Sequence, residues 1–101
     1  GQAGPPPLHG LQLHVPGVWG GTAPLRIRYV LPRGATAAIR VLDVTGRQVR
    51  AFPVDPPSSG GGSVEWDLRG ERGERAPAGV YFVQLIAGEE AQSRKVVLLA
   101  R

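Results

Sequence analysis

Glycine and proline interrupt this chain so often that a long helix cannot form. Fifteen glycines and ten prolines are spread over the 101 residues. Both residue types weaken the interior of a helix, and no stretch between them repeats its apolar residues with a helical period. Several stretches instead alternate apolar and polar residues, as strands with one buried face do. The sequence therefore predicts an all-β protein, and its length suits a single domain.

About seven strands are predicted from this alternation and from the turn signals between the strands. The clearest is residues 25–31, in which four apolar side chains alternate with other residues along the strand. Seven short strands at close spacing are typical of an antiparallel β-sandwich. The predicted strands are residues 8–15, 25–31, 37–44, 48–54, 64–68, 79–87 and 92–100.

Three of these strands have a predicted place in a sheet. Pro53 has no amide hydrogen to donate to a neighbour, so residues 48–54 are expected at a sheet edge. Residues 79–87 and 92–100 are apolar almost throughout, which favours central strands that are covered on both faces.

The first seven residues, GQAGPPP, predict an extended arm or linker, and residues 8–101 are predicted to form the β-sandwich domain. The sequence contains no methionine, so we expect Gly1 to follow a removed segment or to lie within a longer protein. No apolar run approaches the length that spans a membrane. A soluble chain without a transmembrane segment is therefore expected.

No group of residues predicts catalysis. Cysteine is absent, which excludes disulfides, thiolate nucleophiles and cysteine metal sites. His9 and His14 are separated by an odd spacing that sends them to opposite faces of a strand. A calcium site could use Asp67, Glu71 and Glu74, but their spacing lacks the alternating ligands of a dedicated calcium loop. The prediction is a protein that is not an enzyme and has no catalytic residues, cofactor or metal ligands.

The chain is basic, with a net charge of +4 that comes from eleven arginines and one lysine against eight acidic residues. The basic residues are scattered among acidic ones, which favours an ordinary solvated surface. Arg26, Arg28 and Arg40 would form a basic stripe if their strands shared a face. The aromatic residues are expected in the core rather than as stacking platforms, so nucleic-acid binding is not expected.

A tight turn is predicted between residues 37–44 and 48–54. Gly46 permits a positive φ, and the Asp43 carboxylate can accept hydrogen bonds from the turn amides or pair with Arg47. Farther along the chain, Tyr81 follows Gly79 at the start of a late strand. That placement suits a tyrosine corner, in which the hydroxyl bonds back to the preceding loop.

Five motifs occur in a fixed order between Ile27 and Leu99. Their order and spacing resemble the immunoglobulin-like domain of flagellar hook-capping proteins and the related C-terminal sorting domains of type IX secretion cargo. The motifs are YVLP (29–32), VLDVTGRQV (41–49), VEWD (64–67), GERAPAGVYFVQL (73–85) and SRKVVLL (93–99).

The resemblance implies an immunoglobulin-like antiparallel β-sandwich with Trp66 in the core and Asp67 bracing the loop that follows. Three features depart from the family pattern. Residues 16–19 (PGVW) replace its PNPF motif, Leu68 stands where glycine is usual, and the last apolar strand is followed by Arg101 without a second nearby lysine. Arg94 and Lys95 form a basic pair before the last apolar run, as in the family, and are candidate interaction residues.

The resemblance also implies a non-enzymatic extracellular module, most simply a C-terminal sorting or surface-attachment domain of a secreted bacterial protein. It would be secreted or held at the cell surface, and its partners would be the secretion machinery or its parent protein. An alternative hypothesis is a self-assembling subunit of an extracellular filament. Residues 8–15 would then add as a strand to a neighbouring subunit of a homo-oligomer, with Leu11 and Leu13 in the neighbour's core.

Overall fold

The structure is a computed structural model that describes residues 10–32, 34–54 and 61–100. The predicted arm at residues 1–7, together with Leu8 and His9, lies outside the described residues. The described residues form strands joined by turns and loops, so the all-β prediction is confirmed. The strands are β1 (Gln12–His14), β2 (Val18–Trp19), β3 (Leu25–Val30), β4 (Ala37–Asp43), β5 (Gln48–Val54), β6 (Gly61–Trp66), β7 (Gly79–Ala87) and β8 (Glu90–Leu98).

The strands form two sheets that enclose one apolar core. The smaller sheet has the order β1-β3-β6, and the larger has the order β2-β8-β7-β4-β5. All the pairings are antiparallel except that of β2 with β8, which is parallel. This is the predicted β-sandwich, and β5 with its Pro53 lies at an edge of the larger sheet.

The alternation that predicted β3 is also its burial pattern. Leu25, Ile27 and Tyr29 are buried, whereas Arg26 and Arg28 are exposed. Each large apolar side chain removed from water in this way stabilises the fold by about 1.5–3 kcal/mol. One face of the strand thus supplies core and the other supplies solvent-facing charge.

Trp66 is the largest side chain that is fully buried, with 0% of its surface exposed. Its ring meets the ring of Tyr81 edge-on, with 5.7 Å between the ring centroids. Since Trp66 belongs to the smaller sheet and Tyr81 to the larger, this contact joins the two layers. The other side chains that are almost fully buried are Leu11, Leu13, Leu25, Ile27, Leu31, Ile39, Val41, Val83, Leu85 and Val96.

The structure has one strand more than predicted, and another begins earlier. β2 is only two residues long, too short to show an alternating pattern. β6 begins at Gly61, three residues before the strand predicted at residues 64–68. A side chain at position 62 would collide with Tyr29, because its Cβ would lie 2.8 Å from the tyrosine Cζ. Gly62 therefore lets the strand pass close to that ring.

β6 ends at Trp66, two residues before the end of the strand predicted at residues 64–68. Leu68 has a φ of 65°, in the left-handed region that glycine tolerates best. Its side chain is nevertheless buried, with 7% exposed. Burial of the leucine compensates for a backbone conformation that most residues avoid.

β7 and β8 lie inside the larger sheet as predicted, but the prediction that both are covered on both faces was wrong for β8. Ala91, Ser93, Arg94 and Lys95 are all exposed. The reason is that the described strands form two layers, so the smaller sheet of three strands covers only one face of the larger sheet.

The basic stripe considered for Arg26, Arg28 and Arg40 does not form. Arg26 and Arg28 belong to β3 of the smaller sheet, and Arg40 belongs to β4 of the larger one. Among the described residues, no helix is long and apolar enough to cross a membrane.

Candidate functional site

The β4–β5 turn is built around the Asp43 carboxylate. One oxygen, Oδ1, accepts hydrogen bonds from the Thr45 amide (2.9 Å), the Thr45 hydroxyl (2.6 Å) and the Arg47 amide (3.0 Å). Gly46 has the positive φ, 89°, that the turn requires. The hydrogen bond from the Thr45 hydroxyl is the main cause that lowers the pKa of Asp43 below its ordinary value. The carboxylate therefore fixes the shape of the turn.

Arg47 contributes little to this turn through its charge. Its Nε lies 3.9 Å from Asp43 Oδ2, and 82% of its side chain is exposed. Such exposed ion pairs are worth little because water and salt screen them. The guanidinium group is left facing solvent.

Trp66 and Asp67 hold the loop between β6 and β7. The Trp66 indole N–H donates to the Arg69 carbonyl at 2.9 Å. Asp67 Oδ1 accepts from the Arg69 amide at 3.1 Å. The start of the loop is thus fixed from the core side by an indole and from the solvent side by a carboxylate.

Arg50 is a further part of this arrangement that sequence reasoning missed. Its guanidinium donates to Asp67 Oδ1 at 2.8 Å and to the Arg69 carbonyl at 3.2 Å. It also lies 5.2 Å from the centre of the Phe52 ring. A register shift between Val41 and Leu42 interrupts the β4–β5 pairing, and Arg50 is paired with the inward-facing Val41. Because of this bulge, the position of Arg50 does not follow from a simple alternation of buried and exposed residues.

Tyr81 closes the same end of the sandwich. Its hydroxyl donates to the Pro77 carbonyl at 2.5 Å, which is the bond expected of a tyrosine corner. Burial, and secondarily the negative charge of Asp43, raise the pKa of the Tyr81 hydroxyl. Gly79, two residues earlier, has a φ of 148°.

A shallow groove of about 680 Å³ lies between the β4–β5 turn and the β6–β7 loop. Asp43, Arg47 and Tyr81 line it on one side, and Glu71 and Arg72 are among the loop residues on the other. Charges of both signs are mixed along it, and hydrogen bonds within the turn and loop occupy several of the polar groups. The polar groups of the groove thus hold the turn and the loop in shape.

The alternative of a calcium site is not supported. In residues 10–32, 34–54 and 61–100, no group of three or more His, Asp or Glu side chains could hold a metal ion. Asp67 instead pairs with Arg50, and Glu74 Oε1 accepts from the Arg72 amide at 3.1 Å.

The interaction role considered for Leu11 and Leu13 must be corrected. The two leucines are 2% and 1% exposed and belong to their own chain's core. β1 pairs with β3 of the same chain, with Leu13 opposite Tyr29. The reason is that β3 of the same chain already pairs with the backbone of this strand.

Arg94 and Lys95 are both exposed, but they do not form one basic patch. Successive side chains of a strand point to opposite faces. Lys95 is paired with Phe82, and Arg94 is paired with the buried Val83. Lys95 therefore projects from the outer face of the larger sheet. Arg94 lies on the opposite face, and its guanidinium donates to the Ser93 carbonyl at 2.9 Å.

A known family model matches the part of the chain that carries these side chains. The model of the FlgD Ig-like domain matches residues 14–90, a range that includes the Asp43 turn, the Trp66 loop and Tyr81. The chain belongs to the FlgD Ig-like domain family. This confirms the immunoglobulin-like fold that the motif order indicated. Ig-like domains of this kind are typically not catalytic.

Solved structures of two Porphyromonas gingivalis proteins are similar to this FlgD Ig-like domain. One is PorZ, described as an essential bacterial surface component of the type IX secretion system. It is 21% identical with a TM-score of 0.63, and the match covers 93% of this chain and 12% of PorZ. The other is dimeric latent PorU, which is 19% identical with a TM-score of 0.68, and the match covers 91% of this chain and 9% of PorU.

These likenesses show the fold. The chain spans about a tenth of the length of either structural neighbour. No curated protein matches the chain significantly.

Proposed function

We propose that this FlgD Ig-like domain is a non-enzymatic sorting or surface-attachment module of a secreted bacterial protein. The observation that carries the proposal is the family membership, joined to the structural likeness to a domain in PorZ, a surface component of type IX secretion. We place the domain outside the cell or at its surface, with the secretion machinery and its parent protein as partners.

The use of the motif residues supports a binding role over a catalytic one. Asp43 fixes a turn, Asp67 fixes a loop, and Tyr81 bonds to a backbone carbonyl. A domain in which the ionisable motif groups stabilise the fold has its surface and sheet edges available for other proteins.

The filament hypothesis loses the contact on which it depended. Strand addition required Leu11 and Leu13 to enter a neighbour's core, and both lie in the core of their own chain. We therefore propose the sorting or attachment role alone.

An export assay tests the proposal. The full chain is fused to the C-terminus of a reporter that carries a signal for crossing the inner membrane, in a bacterium with a working type IX system. The expected result is reporter on the cell surface or in the medium. The matched controls are the same reporter without the domain, the reporter fused to an unrelated immunoglobulin-like sandwich, and the fusion in a strain lacking type IX secretion. Periplasmic retention of the folded fusion, equal to that of the controls, would refute the role.

A further inference from the structure

The first half of β8 is an open edge of the larger sheet. β2 pairs with β8 only at Val97 and Leu98. The Val97 amide donates to the Gly17 carbonyl and the Leu99 amide donates to the Trp19 carbonyl, each at 2.9 Å. Beyond this short contact, toward Glu90, the edge runs on without a neighbouring strand in the described part of the chain.

The direction of the free backbone groups follows from these two bonds. Along a strand, the amide and carbonyl groups of alternate residues point to the same side. Since Val97 and Leu99 face β2, the backbone groups of Ala91, Ser93 and Lys95 also face away from β7. All three residues are exposed. Within the described residues, the one bond made to these outward groups is that of the Arg94 guanidinium to the Ser93 carbonyl.

The described residues of the N-terminal region do not fill this edge. Pro16, just before the Gly17 carbonyl that β8 uses, has no amide hydrogen. Preceding it, β1 pairs with β3 of the other sheet. Gln92 does donate a side-chain hydrogen bond to the Leu11 carbonyl at 2.8 Å. That bond fastens β1 to the rim and leaves the outward backbone groups of β8 unused.

We propose that the β8 edge at Ala91, Ser93 and Lys95 accepts an extended segment of a partner protein as an additional strand. This inference rests on the proposed role as a protein-binding module and assigns the contact surface. Strand addition would satisfy the outward amides and carbonyls, and side-chain contacts would supply specificity.

The charges at the edge select the partner. Arg94 and Lys95 both flank the free backbone groups, one on each side of the sheet, so a segment with carboxylates at neighbouring positions is favoured. A second copy of this chain would bring Glu89 and Glu90 to the edge together with Arg94 and Lys95, so self-pairing is a competing outcome that the test must distinguish. The occupant that we propose is an acidic extended segment of a different protein, because Arg94 and Lys95 lie next to the free groups of Ser93 and Lys95, whereas the two glutamates lie at or just before the start of the strand.

Nuclear magnetic resonance on the full chain tests the inference. The probe is a short capped peptide of alternating glutamate and valine, and its lysine–valine counterpart is the charge control. With the acidic peptide at millimolar concentration, the amide signals of Ala91, Ser93 and Lys95 should shift most and their hydrogen exchange should slow. The basic peptide should cause smaller shifts at the same concentration.

A pair of variants separates backbone pairing from simple charge attraction. Ser93→Pro removes one outward amide and should abolish the peptide-induced shifts. Ser93→Ala keeps that amide and should bind like the unaltered protein. If Ser93→Pro does not fold, Ala91→Pro tests the same edge one pair farther along.

Several outcomes would overturn the inference. They are no shift with the acidic peptide, shifts centred elsewhere, equal binding by a folded edge-proline variant, or self-association that protects the same amides. A domain that fails in this way but still exports the reporter keeps the proposed function and loses only the assigned edge. A domain that binds the peptide but exports nothing loses the sorting role and keeps the edge.

Discussion

The larger sheet has one edge that is closed and one that is open. At the β5 edge, Pro53 removes an amide donor, and the Glu71 amide donates to the Val49 carbonyl at 3.1 Å. Arg50 adds bonds to Asp67 and to the Arg69 carbonyl. At the β8 edge, two residues of β2 pair and the rest is exposed.

The difference separates what maintains the fold from what is available for binding. Trp66 and Asp67, two of the family's motif residues, fasten the loop that protects the β5 edge. An exposed strand edge is a risk for aggregation, and charged residues are one way in which proteins restrain it. Arg94 and Lys95 guard the β8 edge in that way without blocking it. The motif therefore identifies the fold, and the unblocked edge is where we propose that a partner binds.

The largest expected effect on stability comes from removing Trp66, which holds the loop beside the β5 edge from the core side. Trp66→Ala should lower the free energy of unfolding by about 3–5 kcal/mol, because it leaves a large cavity and removes the indole bond to the Arg69 carbonyl. Chemical denaturation measures the loss. Trp19→Ala is the control, since Trp19 is only half-buried and should cost much less. Equal stability of the Trp66 variant and the unaltered protein would contradict the burial of Trp66 in the core.

Removing Arg50, which braces the β5 edge from its solvent side, should have a smaller effect on stability. Arg50→Ala removes two hydrogen bonds and the contact with Phe52, and should cost about 1 kcal/mol. Its side chain is 27% exposed, and that of Asp67 is 52% exposed, so solvent screens part of the interaction. The control is Arg26→Ala, whose ion pair with Glu65 is longer, at 3.4 Å, and 65% and 55% exposed. Identical melting curves for the two variants would show that Arg50 does not brace this edge.

The turn that leads into β5 should respond to acid. Because hydrogen bonds lower the pKa of Asp43 in the folded protein, its ionised form stabilises the fold fully above the ordinary aspartate pKa. That contribution is lost as the pH falls through the lower pKa of the folded state. The unaltered protein should therefore exceed Asp43→Asn in stability near neutral pH, and the difference should shrink in acid.

Thr45→Ala sharpens this test, since it removes the main hydrogen bond that lowers the pKa of Asp43. In that variant the acid-dependent loss should begin at a higher pH. Melting temperatures measured across the acidic range would decide. A gap between the unaltered protein and Asp43→Asn that is the same at every pH would contradict the role of the charge.

The features that sequence could predict are those with a local cause. Alternation marks β3, and the bonds of Asp43 lie within four residues of it. The features that it missed depend on distant contacts. Leu68 combines a left-handed φ with a buried side chain, and that burial depends on the packing of the whole core. Arg50 reaches Asp67 across 17 positions in sequence, and the two residues of β2 are a strand only because β8 lies beside them.

The smallest expected effect on stability is that of a substitution at the open β8 edge, and its size tests whether that edge is free. Ser93→Pro should cost about 1 kcal/mol or less, because the Ser93 amide faces away from β7 and its loss breaks no bond of the sheet. Arg94→Pro, one residue away, should cost about 3 kcal/mol or more, because the Arg94 backbone pairs with Val83. Thermal unfolding of the two variants measures the contrast. If Ser93→Pro proves as damaging as Arg94→Pro, the outward amide has a partner within the fold, and β8 offers no edge for an added strand. If the contrast holds, Ser93→Pro can block a partner while the sandwich stays intact. The β5 edge does not permit such a separation, because its contacts also hold the fold together.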